Sequence, residues 1–168
     1  DVVNQIQVNV KAGLTFASGL RAFLRQDPDI MMVGEIRDKE TAEIAIQSAL
    51  TGHLVFSTIN TNDASSTFTR LTDMGIEPFL ATSTILGVVA QRLVRRICAH
   101  CRSEYEPPRE LLEGLGLNEL IKDKKFFKGR GCENCHSTGY KGRVALFEFL
   151  VPNTEIRNLV LKKSSADE

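Results

Sequence analysis

Two short apolar runs, IMMV at 30–33 and LVFST at 54–58, stand on either side of a segment with helical periodicity. Ala42, Ala45, Ile46, Ala49 and Leu50 recur at the spacing of one helix face. Asp38 can cap that helix, with Lys39, Glu40 and Thr41 filling its first turn, and Gly52 ends it. Buried strands that alternate with helices argue for a layered α/β domain with mostly parallel strands.

The same alternation continues on both sides. FASGLRAFLRQ at 16–26 places Leu20, Phe23 and Leu24 on one face, and Asp27-Pro28 stops it, because proline disfavours helix in the residue before it. Asn62 or Asp63 caps a further helix that runs through Met74 to a stop at Gly75. Another helix is expected over 78–91. RVALFEFL at 143–150 returns to strand-like composition, and a helical pattern through Ile156, Leu159 and Val160 starts with little to pack on.

Both apolar runs end in polar groups. Glu35, Arg37 and Asp38 follow the first, and Ser57, Thr58, Asn60, Thr61 and Asn62 close the second. In open α/β sheets ligands sit beyond the carboxyl ends of the strands, so a shared site is expected there. A carboxylate such as Glu35, at the edge of a dry core, can orient an attacking water or bind the waters of a metal ion. The plain alternative is a solvated turn carboxylate. His53, at the start of the second run, reads first as a structural residue bonded to backbone.

Bulk composition removes some function classes. Lys and Arg number 21, as do Asp and Glu, so no overall field favours nucleic acid or an anionic membrane. No stretch approaches the roughly 18–20 apolar residues of a membrane span, and no charged-then-apolar leader opens the chain. The chain begins on Asp1 in mid-pattern, so a fragment of a longer protein is expected. A length of 168 residues fits one ordinary domain with a small appendage.

That appendage is expected at 98–142, between a core at 1–97 and a return segment at 143–168. It holds all four cysteines, as Cys98-x2-Cys101 and Cys132-x2-Cys135, and the charged run KDKKFFKGRG. Each CxxC brings two thiolates to one ion from a tight turn, and two such turns complete a tetrahedron, which suits structural zinc. An iron–sulfur centre also fits four cysteines, Cys132-Glu-Asn-Cys135-His136 fits a haem attachment pattern, and a redox dithiol is a further reading. His100 and His136 lie beside these cysteines and read as solvated neighbours. The basic run Lys122 to Arg130, with Phe126 and Phe127 inside it, is either a solvated loop or a docking surface for a partner. Leu111, Leu112, Leu115, Leu117, Leu120 and Ile121 give this module only a small core of its own.

Together these motifs carry a resemblance over almost the whole chain. GLTFASGLRAFLRQDPDIMMVGEIRDKETAEIAIQSALTGHLVFSTINTNDA, followed by TRLTDMGIEPF and VAQRLVRRICAHC, resembles the E-type secretion ATPases of bacterial type II secretion and type IV pilus assembly. DPDIMMVGEIRD matches that family's Walker B segment, TGHLVFSTINTNDA its histidine box, and CAHC with CENCHSTGYKGR its tetracysteine module. The resemblance implies the C-terminal half of a RecA-like P-loop NTPase core. It implies a homo-hexamer at the cytoplasmic face of the inner membrane, working with secretion or pilus platform proteins there. ATP and magnesium would drive pseudopilin or pilin assembly. Glu35 matches the Walker B glutamate, which positions water and supports magnesium. His53 matches the first histidine of the box, and Arg37, Arg21 and Arg25 could each reach a neighbouring subunit's phosphates, with a surface salt bridge as the plainer reading of each.

Two departures qualify what is implied. No GxxxxGK[ST] occurs in the 168 residues, so the phosphate-cradling loop is missing and the fragment alone is expected to be inactive. The family commonly has a second histidine where Asn60 stands, and asparagine offers a neutral hydrogen bond but no cation. The competing class is a zinc-stabilised interaction module without catalysis of its own. A nucleic-acid motor is disfavoured by the zero net charge.

Overall fold

The computed structural model describes residues 3–114, 121 and 124–165. In chain order the elements are α1 (Phe16–Phe23), β1 (Ile30–Val33), α2 (Lys39–Leu50), β2 (Leu54–Ser57), α3 (Ser66–Asp73), α4 (Pro78–Thr84), β3 (Val88–Ile97), β4 (Arg102–Tyr105), α5 (Arg109–Gly114), β5 (Phe126–Gly129), β6 (Tyr140–Leu150) and α6 (Thr154–Leu161). They fall into two units, one of Asp1–Ala90 with Glu148–Glu168 and one of Gln91–Phe147. The divisions lie within β3 and β6, whereas the composition change that suggests a 98–142 module begins at the first cysteine.

In the first unit, local hydrogen bonds set the helix ends. The Thr15 hydroxyl accepts from the Ser18 amide at 3.2 Å, and the Ser18 hydroxyl accepts from the Thr15 amide at 2.9 Å, a reciprocal cap on α1. A left-handed Asp27, φ 51°, ends the short 3-10 turn Leu24–Gln26 that follows. The Asp38 carboxylate accepts from the Thr41 amide at 2.8 Å and from its hydroxyl at 3.0 Å, which starts α2 as the sequence predicts. Asp63 does the same before α3, accepting from the Ser66 amide at 2.8 Å. Gly75, at φ 90°, turns the chain out of α3.

β1 and β2 pair in parallel, Ile30 opposite Leu54 through Val33 opposite Ser57. Met31 and Val33 point into a cluster with Ala17, Leu20 and Ile44, so α1 and α2 cover one face of the sheet. A second cluster joins Ala42, Ile46, Phe68, Leu71, Ile76 and Ala81. Ile36 packs against both.

Three expectations change. The strands are not buried on both faces: Ile30, Met32 and Phe56 are more than half exposed, because the described helices cover one side only. The helix expected over 78–91 ends at Thr84, and Ile85 is already extended at φ −75°, ψ 117°. From Val88 the chain is strand β3, paired with β6, a partner too distant in sequence for local pattern to reveal. The last helical pattern also finds a partner, since α6 contacts α4 and Val160 packs on the second cluster.

In the second unit β4 and β5 pair antiparallel, Arg102 opposite Gly129 through Tyr105 opposite Phe126. The pairing carries stacked cations: Arg102 lies 3.5 Å from the centre of the Phe127 ring, and Lys128 4.6 Å from that of Tyr105. Phe126 and Phe127 are thus strand residues. Leu115, Leu117, Leu120 and Lys122, singled out above, lie outside the described residues. Among the described residues no helix is long and apolar enough to cross a membrane.

Candidate functional site

The loop that leaves β1 is fixed from both sides. Ile36 donates its amide to the Thr58 carbonyl at 2.9 Å, and the Thr58 hydroxyl donates to the Gly34 carbonyl at 2.8 Å. With the Ile36 side chain held in the core, Glu35 and Arg37 on either side of it meet in an ion pair of 2.6 Å. The Arg37 guanidinium holds the Glu35 carboxyl below its ordinary value. Their hydrogen bond does most of this, partial desolvation opposes it, and the guanidinium charge adds to it. Glu35 is therefore an ionised acceptor at neutral pH.

A cleft of about 320 Å³ opens here, lined by Glu35, Ile36, Arg37, Asn60 and Arg70. It lies beyond the carboxyl ends of the two parallel strands, where the sequence placed it. Two guanidiniums, a carboxamide and one carboxylate make a surface that can hold an anion while offering one general base. Arg70, on α3, was not singled out by sequence. It follows a helix periodicity shared by many solvated arginines, so only the packing of α3 beside the Asn60 loop reveals it.

The other residues proposed for this site lie elsewhere. His53 sits at the opposite end of β2, where its Nδ1 lies 2.9 Å from the Ser48 carbonyl and 3.1 Å from the Thr51 hydroxyl. A carbonyl only accepts, so Nδ1 carries the proton and ties the start of β2 to the end of α2. Arg21 bridges to Glu40 at 2.8 Å, linking α1 to α2 with both side chains more than half exposed. Arg25 is exposed in the 3-10 turn after α1. Neither arginine lines the cleft.

The second unit gathers Cys98, Cys101, Cys132 and Cys135, whose four sulfurs all lie within 4.8 Å of one another. Three of the separations are 3.9 Å (Cys98–Cys132), 3.9 Å (Cys101–Cys135) and 3.7 Å (Cys132–Cys135). A tetrahedron with metal–sulfur bonds of about 2.3 Å has edges of about 3.8 Å, so the donor set fits a single four-thiolate ion. Each knuckle closes on itself, the Cys101 amide on the Cys98 carbonyl at 3.3 Å and the Cys135 amide on the Cys132 carbonyl at 3.2 Å. The knuckles are tied to their surroundings by Cys98 amide to Gly139 carbonyl, 2.9 Å, and Arg130 amide to Cys101 carbonyl, 3.0 Å.

Burial pushes the Cys101 thiol up to about 11 and also raises Cys132. Burial opposes ionisation of Cys135 too, but there the backbone amides of Cys132 and Gly139, each 3.2 Å from the sulfur, outweigh it with help from neighbouring thiols, and the thiol falls to about 6. His100 and His136 are exposed, and among the described residues the cluster contains cysteines only.

Comparison with known proteins adds the relatives. The family described as Type II/IV secretion system protein matches residues 1–168. The chain is 58% identical over 167 residues to the Type IV pilus assembly ATPase PilB of Thermus thermophilus, covering 99% of this chain and 19% of that protein. It is 51% identical over 166 residues to the Type II secretion system protein E of Pseudomonas aeruginosa, covering 99% and 33%. Among solved structures, the pilus retraction motor PilT with bound ADP superposes with a TM-score of 0.59 at 32% identity, over 89% of this chain and 33% of that one. The chain thus spans between 19% and 33% of the length of these proteins.

Proposed function

This chain belongs to the type II/IV secretion system protein family, and from that premise we propose that its parent is a hexameric ATPase coupling ATP hydrolysis to pseudopilin or pilin assembly. The parent works at the cytoplasmic face of the inner membrane, against platform proteins. The observation that carries the reading is the cleft at the carboxyl ends of β1 and β2, with an ionised Glu35 held beside Arg37, Asn60 and Arg70. Phosphoryl transfer asks a protein mostly for positioning and charge stabilisation. Glu35 would orient the attacking water and help hold magnesium, which would supply charge to the phosphates when bound. Arg37 and Arg70 neutralise phosphate oxygens, and Asn60 donates a neutral hydrogen bond to them. In the second unit the four cysteines hold one zinc as a structural ion.

Replacing Glu35 with Gln in the full-length parent keeps the side chain's size and removes the charge. Turnover is expected to fall about 10²–10⁴-fold while nucleotide binding stays. The 168-residue chain by itself, lacking a GxxxxGK[ST] loop, is expected neither to bind MgATP in calorimetry nor to release phosphate. Hydrolysis by the Gln variant within a few-fold of wild type overturns the role of Glu35. A second reading, a zinc-stabilised interaction module without catalysis, is favoured by one fact: the cysteines sit in a compact unit of their own. It predicts a full-length parent that hydrolyses no ATP even before mutation.

A further inference from the structure

One residue holds the backbone on both sides of Glu35. The Thr58 hydroxyl donates to the Gly34 carbonyl at 2.8 Å, and the Thr58 carbonyl accepts from the Ile36 amide at 2.9 Å. The first bond holds the peptide plane between Gly34 and Glu35, and the second holds the plane between Glu35 and Ile36. A residue has only two soft backbone torsions, set by the planes on either side of it. With both planes held, the direction in which the Glu35 side chain leaves the backbone is set as well.

Thr58 is itself a firm post. It follows Ser57, which pairs with Val33 in the sheet, and precedes Ile59, which packs against the second apolar cluster. The next residue, Asn60, lines the same cleft as Glu35. The two ties differ in what supports them. Ile36 is anchored in the core by its own side chain, so its plane has support besides the amide bond. Gly34 brings no side chain to the core, so the plane before Glu35 depends more on the Thr58 hydroxyl. Thr58 is exposed, so water can satisfy the Gly34 carbonyl when the hydroxyl is removed, and the fold loses little. Water does not restore the fixed direction, and misplacing a reacting group by about 1 Å costs on the order of 10²-fold in rate. We infer that Thr58 is a positioning residue for Glu35: its hydroxyl clamps the peptide before the glutamate and so aims the carboxylate at the attacking water. The inference rests on the reading of Glu35 as the group that orients water in ATP hydrolysis.

The test uses the full-length parent, with steady-state phosphate release from MgATP and a thermal melt of each variant. Thr58→Val keeps the branched shape and removes the hydroxyl. Its kcat is expected to fall about tenfold while the KM for MgATP stays where it is. Thr58→Ser keeps the hydroxyl and is expected to recover most of that loss. On a Glu35→Gln background Thr58→Val is expected to have no further effect, because the carboxylate through which the hydroxyl acts is gone. A threonine that only stabilises the fold lowers the melting temperature of the valine variant and leaves kcat per folded enzyme alone, and that result overturns the inference. So does a rise in KM in place of a loss in kcat, a serine variant as slow as the valine one, or an undiminished loss on the Gln background. Thr58→Ala removes the same hydroxyl and carries the same comparisons if the valine variant does not fold. Failure of the underlying reading looks different: Glu35→Gln alone then turns over within a few-fold of wild type. A slow Glu35→Gln beside an unimpaired Thr58→Val overturns the clamp and leaves the role of Glu35 standing.

Discussion

Ile36 fixes where its neighbours go. Its side chain packs on both apolar clusters and its amide is bonded to Thr58, so residues 35 and 37 leave the core on the same side and their charges meet. The pair has a pH signature. The Glu35 carboxyl is held below its ordinary 4.5, so the folded state binds its proton less readily than the unfolded chain. Its stabilising contribution is present above pH 4.5 and is lost as pH falls through the lower folded value. In Arg37→Ala the hydrogen bond and the charge both disappear and only desolvation remains, which acts upward. The Glu35 midpoint, followed by carbon-13 NMR of its carboxyl, is expected to rise to the ordinary value or above it. A midpoint unmoved by the substitution shows that the pair does not form in solution.

At the scale of elements, what could be read from sequence was what local chemistry dictates. Asp38 before α2, Gly75 after α3 and the apolar runs of β1 and β2 follow from capping, backbone freedom and composition, and all appear as expected. The cleft was half legible: the strand ends point to Glu35 and Asn60, but Arg70 arrives through the packing of α3, which no spacing encodes. The helix expected over 78–91 takes in the first residues of β3, because the pairing of that strand with β6 is non-local. A close approach of glycines in the cysteine unit was equally invisible. A Cβ on Gly129 would run into the Gly139 carbonyl oxygen, the oxygen that anchors the Cys98 amide. Gly129→Ala must therefore push this backbone away and move Cys98 with it. We expect a loss of about 1–3 kcal/mol from overpacking, seen in denaturant melts of this unit, together with weaker zinc binding. Gly114→Ala is the control, since among the described residues nothing lies within 4 Å of its added methyl. Equal zinc affinity in both variants would show that the approach is not needed.

Across the whole molecule the two units are held by different means. Among the described residues both apolar clusters lie in the first unit, whereas the second brings four cysteines to one point around short strands and stacked cations. Where a small unit has little apolar core, the free energy of metal binding becomes folding free energy. Loading the chain with one zinc and then chelating it is therefore expected to abolish hydrogen-exchange protection in 98–142 and leave 30–58 protected. The thiol chemistry gives the pH dependence of that step its sign. At pH 7 Cys135, near 6, is mostly thiolate, while Cys101, near 11, and Cys132, also raised, keep their protons until a metal displaces them. Zinc uptake thus releases protons, so apparent affinity rises as pH goes from 6 to 8 and falls below 6, where Cys135 also protonates. Competition with a chromophoric chelator across this range measures the slope, and isothermal calorimetry in buffers of different ionisation enthalpy counts the protons. A pH-independent affinity, or a metal-free chain whose residues 98–142 exchange as slowly as the loaded form, would mean that the cysteine unit is held by its strands alone.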